Sequence, residues 1–162
     1  AIGLAAVQLL KFFGAHVTAV CATPHVALVQ SLGADRVVDY LTDDFTRTGL
    51  KYDFVFDAVG KTSFGVCKKI LRHKGLYIST ELGKGGQNVF LAIWGGLFKN
   101  QRRVLFPIPT FCKEDMEWLA DRVANGDFKP VIDRSYRLFD IVNAYRYVEK
   151  GQKIGNVILQ IS

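Results

Sequence analysis

The residues with chemical potential are glycines and hydroxyls at the ends of apolar runs. Gly3 stands at the start of the first apolar run, and Cys21-Ala-Thr-Pro-His25 follows about 20 residues later. A glycine at a helix N-terminus lets the helix pack closely on a strand. The free backbone N–H groups and the positive end of the dipole then face a pyrophosphate. A reader of an unmodified adenosine ribose needs Asp or Glu at the tip of the second strand, to accept from the 2′-hydroxyl. Residues 21–25 contain neither. That absence permits a 2′-phosphate, toward which Thr23 offers a hydroxyl and His25 a positive charge. Thr23 is equally an N-cap with Pro24 at the first helical position, and the two roles are compatible. Asp57-Ala-Val-Gly60 closes another apolar run. At the carboxyl end of a strand such a small turn either admits a nicotinamide ribose to the backbone or simply leads into a helix. Tyr40 ends a third run, with its phenol at the same edge or as a half-buried surface aromatic.

No other constellation carries catalysis. No Tyr is followed by Lys four residues later, and there is no Gly-x-Ser-x-Gly elbow, His-Glu-x-x-His pair or Gly-x4-Gly-Lys loop. His16, His25 and His73 are scattered without an acidic partner by spacing. Lys68, Lys69, Arg72 and His73 read as the solvated end of a helix rather than a nucleic-acid patch, lacking interleaved aromatics. Cys67 and Cys112 read as core thiols. No catalytic residue and no metal ligand set is nominated.

These residues need a scaffold of alternating strands and helices. Residues 1–13 form an apolar helix with Ile2, Ala5, Ala6, Leu9, Leu10 and Phe13 on one stripe, and Gly14 where a C-terminal cap belongs. Strands are expected at Val17–Cys21, Arg36–Tyr40, Asp53–Asp57 and Leu76–Thr80. The helices between them run from Thr23 to Gly33 and from Gly60 to about His73–Gly75. Such spacing indicates βαβ units and a parallel sheet. Further on, a short apolar helix is expected at Ala92–Phe98 and a strand at Arg103–Phe106. Helices around Met116–Val123 and Ile141–Val148 and a last strand at Asn156–Ile161 complete the series.

The bulk properties agree. The chain has 162 residues, 49% hydrophobic and 22% charged, a size at which a single domain buries a real core without staples. Composition excludes disorder and collagen-like repetition. No apolar run reaches bilayer-spanning length. Three separated cysteines suit a reducing compartment, the cytoplasm. The net charge of +6 permits an anionic ligand without demanding nucleic acid. A small-molecule substrate is the expected partner, with no nucleic acid and no membrane, and self-association stays open. The opening helix has neither an N-cap residue nor a preceding turn, so the chain reads as a fragment.

The whole pattern resembles the medium-chain dehydrogenase/reductase superfamily, in its zinc-independent, quinone-oxidoreductase-like and alcohol-dehydrogenase-like branch. The resemblance rests on five segments in order: Ala1–Gln8, Ser31–Tyr40, Tyr52–Gly60, Lys129–Arg134 and Gly151–Leu159. It implies a Rossmann-type doubly wound α/β sheet of order 3-2-1-4-5-6 whose first strand would precede Ala1. Residues 1–128 would form the nucleotide-binding domain, and residues 129–162 would return to a catalytic domain. By resemblance, Ala1, Ile2 and Gly3 are the end of the phosphate loop, and Ala22, Thr23 and Tyr40 contact the adenosine phosphate. Val59 and Gly60 border the nicotinamide, and Gln152, Lys153 and Ile154 form a near-terminal loop touching the cofactor. The family often has Ser at Ala22 and Lys at Asn156. The implied activity is metal-free hydride transfer between NAD(P)H, with NADPH preferred, and a quinone, enone or carbonyl. A non-catalytic nucleotide-sensing or partner-binding module is the alternative. Loss of a central strand would leave two rows of backbone groups unpaired, so weak stability and poor cofactor binding by this chain alone are expected.

Overall fold

The computed structural model describes residues 1–95, 101–108, 110 and 112–161. Two compact units emerge: residues 1–37 with 112–162, and residues 38–111.

The first unit begins with α1 (Ile2–Phe12), followed by β1 (Thr18–Cys21), a single 3₁₀ turn at Thr23–His25 and α2 (Val26–Ser31). β2 (Arg36–Asp39) pairs with β1, and the division between the units falls inside it. The core here is Val7, Val17 and Val29, with Leu4, Leu32 and Val37 against it. The apolar stripe expected on α1 is not the buried one. Ile2, Leu10 and Phe13 are exposed, whereas Val7 and Gln8 are buried. Nearly every α1 position is apolar, so periodicity offers no contrast, and specific bonds choose the face instead. Gln8 exchanges two hydrogen bonds with the Lys129 backbone, Nε2 to O at 3.0 Å and N to Oε1 at 2.8 Å. The Lys11 ammonium meets the Asp35 carboxylate at 2.8 Å.

Later in this unit come α5 (Lys113–Ala124), β6 (Ile132–Arg137), α6 (Ile141–Glu149) and β7 (Asn156–Gln160). β6 and β7 run parallel, from Ile132↔Asn156 to Arg137↔Gln160. β6 was not expected as a strand. Its alternation is masked by the charged Asp133, Arg134 and Arg137. Cys112 is exposed rather than a core thiol; its Sγ caps α5 by accepting from the Asp115 amide at 3.4 Å.

In the second unit β3 (Tyr52–Asp57), α3 (Phe64–Cys67), β4 (Leu71–Ser79), α4 (Gln87–Gly95) and β5 (Arg103–Leu105) follow one another. The sheet is parallel, of order β3-β4-β5. Its core is Cys67, Leu71, Tyr77 and Val104. The helix expected to run to His73–Gly75 stops at Cys67, and Arg72 and His73 belong to β4. The Arg72 guanidinium reaches Asp53 at 2.8 Å, and a register shift at Tyr52/Phe54 absorbs the extra strand residues. Of the helix expected at Ala92–Phe98, α4 covers the part to Gly95; residues 96–98 lie outside the described residues, as does Pro109.

β1 and β2 form one two-stranded sheet, and β3-β4-β5 form a separate three-stranded one. The fold is α/β with parallel sheets, of Rossmann type. Among the described residues β1 pairs with β2 alone, and β3 with β4 alone.

Candidate functional site

Each unit holds one loop tied down by a carboxylate and a tyrosine. In the second unit β3 ends at Asp57, a buried residue. Its Oδ1 accepts from the Val59 and Lys61 amides, both at 3.3 Å. Its Oδ2 accepts from the Thr62 amide at 3.3 Å and from the Tyr77 hydroxyl at 2.9 Å. Tyr77 is fully buried on β4, and burial first, then its bond to Asp57, pushes the phenol pKa well up. Val59 and Gly60 sit exposed on the resulting turn. Gly60 has φ +66°, a conformation that favours glycine. A Cβ there would also come within 2.7 Å of Glu81 Cγ. Glu81 is itself held in place: its amide donates to Ser79 Oγ at 3.1 Å, and Asn88 Nδ2 donates to its carbonyl at 2.8 Å.

In the first unit the loop is Gly151–Gly155. Asp133 Oδ2 accepts from the Ile154 amide at 2.8 Å and from the Tyr147 hydroxyl at 2.9 Å. The Ile154 amide above all pulls the Asp133 carboxyl below its ordinary range. The Arg134 guanidinium lies 4.1 Å over the Tyr147 ring. Lys153 Nζ donates to the Gly155 carbonyl at 3.1 Å. A side chain at Gly155 would collide with the Val131 backbone.

The other nominated residues also belong to the first unit, except Tyr40. Ala1 stands at the N-cap of α1, and the first turn of that helix, with Ile2 and Gly3, is exposed and has no acidic residue. Burial and, next, the charge of Lys153 lower the Ala1 amino pKa. Ala22, in extended conformation, takes the cap position that sequence gives to Thr23, while Thr23, Pro24 and His25 form the 3₁₀ turn itself. Ala22 has no side-chain acceptor, so this turn has no side-chain cap. Tyr40 follows β2 and is 57% exposed. Thus Ala1, Ile2 and Gly3 share the start of α1, Val59 shares one turn with Gly60, and Gln152 to Ile154 share one loop.

A cleft of about 310 Å³ in the first unit is lined by Gln8, Lys11, Ser31 and Lys129 among others, and by none of the nominated residues. The Gln8 amide and the Lys11 ammonium already serve internal bonds. The residues that sequence reasoning missed are Asp57, Tyr77, Asp133 and Tyr147. Asp57 has a legible signal, a carboxylate closing an apolar strand ahead of a glycine turn. Its partner 20 residues away has none.

Parallel strands alternating with helices and a glycine near a helix start are features that dinucleotide-binding α/β domains share. The sequence profile described as zinc-binding dehydrogenase matches residues 32–159, and the chain belongs to that family, within the medium-chain dehydrogenase/reductase superfamily. The chloroplast envelope quinone oxidoreductase homolog of Arabidopsis thaliana is 31% identical over 163 residues, covering 98% of this chain and 49% of that protein. The bovine mitochondrial NAD(P)H oxidoreductase RTN4IP1 is 26% identical over 184 residues, covering 99% and 45%. The solved quinone oxidoreductase of Coxiella burnetii superposes with a TM-score of 0.83 at 23% identity, over all of this chain and 50% of that one, a likeness of fold. The chain spans about half the length of the curated relatives it matches. Among the described residues no group of three His, Cys, Asp or Glu side chains is placed to hold a metal ion.

Proposed function

We propose that the chain is the nucleotide-binding part of an NAD(P)H-dependent oxidoreductase acting on a quinone, enone or carbonyl, with NADPH preferred and no metal in the reaction. The observation that carries this reading is the family match over residues 32–159, with the parallel sheet β3-β4-β5 inside it. Residues 1–128 are the nucleotide-binding domain in this reading, and residues 129–162 the return to a catalytic domain. The cofactor, when bound, supplies or takes up a hydride at its nicotinamide ring. The residues of the chain bind and orient. The α1 start at Ala1, Ile2 and Gly3 offers N–H groups to phosphate, and Lys153 offers positive charge. Ala22, Thr23, His25 and Tyr40 serve the adenosine phosphate, where the lack of Asp or Glu between Cys21 and His25 spares a 2′-phosphate from repulsion. Val59 and Gly60 present bare turn backbone to the nicotinamide side, and Gln152 and Ile154 extend the same role in the other loop. Three cysteines outside any disulfide fit a reducing compartment, which we take to be the cytoplasm, although the names of relatives place those proteins in chloroplasts and mitochondria.

Titration of the ¹⁵N-labelled chain with NADPH and with NADH tests this. The expected result is weak binding to both, tighter for NADPH, with shifts at Gly3, Thr23, Gly60 and Ile154. Equal affinities would remove the NADPH preference, and no shift at millimolar ligand would remove the nucleotide reading. Consumption of NADPH by a longer protein carrying this chain, against a panel of quinones and enones, then tests the reaction.

A further inference from the structure

We propose that Asp57 and Tyr77 are positioning residues that aim the Val59–Gly60 backbone at the nicotinamide, a role resting on the reading above. The two carboxylate oxygens of Asp57 divide their work. Oδ1 serves the Val59 and Lys61 amides, while Oδ2 serves Thr62 and the Tyr77 hydroxyl. All three amide bonds are long, at 3.3 Å, and the tyrosine bond is the short one, at 2.9 Å. The hydroxyl therefore pins the rotation of the carboxylate, and the pinned carboxylate dictates where the Val59, Lys61 and Thr62 amides lie. A buried hydroxyl is costly unless bonded, and phenylalanine would fill the same core beside Cys67, Leu71 and Val104 without it. The hydroxyl is thus explained by what it holds.

Beyond Asp57 the turn is bare. Val59 and Gly60 are exposed, and Gly60 carries no side chain where the Glu81 methylenes lie against it. Backbone presented in this way contacts a flat ring by position alone, so a small rotation of the carboxylate translates directly into lost contact.

The test compares Tyr77→Phe with Val104→Ala, a cavity mutation beside Tyr77 in the same core that removes no hydrogen-bonding group of the clamp. Amide exchange by NMR reads the turn, and titrations with reduced nicotinamide mononucleotide and with adenosine 2′,5′-bisphosphate read the two halves of the cofactor separately. Tyr77→Phe is expected to speed exchange at Val59, Lys61 and Thr62 about tenfold and to weaken the nicotinamide half by a similar factor. The adenosine half should be unaffected. Val104→Ala should leave the affinity of both halves unchanged, which a merely structural role for Tyr77 would not allow. Asp57→Asn, isosteric but with a donor facing the turn amides, should reproduce the Tyr77→Phe pattern and serves if that variant does not fold. Unchanged amide exchange, or equal losses in Tyr77→Phe and Val104→Ala, would overturn the proposal while leaving the nucleotide reading intact. Failure of the unmutated chain to bind either half would refute that reading, and with it the positioning role, whereas the exchange data would still report whether the clamp exists.

Discussion

Asp57 in the second unit and Asp133 in the first each accept a tyrosine hydroxyl at 2.9 Å and the amides of a following loop. They differ in their surroundings. Asp57 and Tyr77 are buried, and Tyr77 owes its raised pKa first to lost solvation and then to the bond with Asp57. Tyr147 is only half-buried, and the bond to Asp133 comes first in raising its pKa. The same three-part motif therefore acts through different physics. Where water is excluded, breaking the bond strands a polar group, and the clamp becomes part of the core. Where water is near, a broken bond is replaced by hydration, and the clamp only biases which loop conformation is populated.

The largest expected effect follows from removing the buried carboxylate. Asp57→Ala leaves the Tyr77 hydroxyl and three amides without their acceptor and should cost about 3 kcal/mol in urea unfolding. Asp133→Ala should cost about 1 kcal/mol, with water taking over. Equal losses would break the comparison. Alkaline titration at 295 nm comes next. Tyr77 stays protonated in the folded chain above the ordinary tyrosine pKa of about 10, so its contribution to stability is complete below that value and fades as pH rises beyond it. Tyr77→Phe should therefore remove more of the missing tyrosinate absorbance at pH of about 11 than Tyr147→Phe does. The smallest effect belongs to acid. Asp35, held by the Lys11 ammonium first and the Val17 amide second, has its pKa lowered to about 2. Asp133 is lowered as well, by the Ile154 amide. A depressed carboxyl stabilises the fold above its unfolded pKa of about 4, and that share is lost as pH falls through the folded value. Asp35→Asn should flatten the acid limb of the stability curve measured by circular dichroism.

Much of the scaffold was legible. β1, β2, β3, β5 and β7 lie where β-branched and apolar runs put them, and Gly14 follows the helix it was expected to end. The misses have distinct causes. α3 ends early and β4 begins at Leu71 because strand pairing with Tyr52 outweighs the helical look of Lys68 to His73. β6 escaped because an edge strand rich in charge lacks a hydrophobic alternation to read. On α1 the polar Gln8 and Lys11 mark the bonded side, the reverse of what an apolar stripe implies.

By itself the sequence determined the alternation of strands and helices, the glycines at turns and the absence of acid between Cys21 and His25, since each depends on neighbours within a few residues. Only the tertiary structure decided which face of α1 is buried, that Tyr77 meets Asp57 and Tyr147 meets Asp133, and that Cys112 caps a helix in the open. Those pairings join residues up to 121 positions apart, as Gln8 and Lys129 show. Such contacts arise from where packed strands deliver their side chains, which no local pattern encodes.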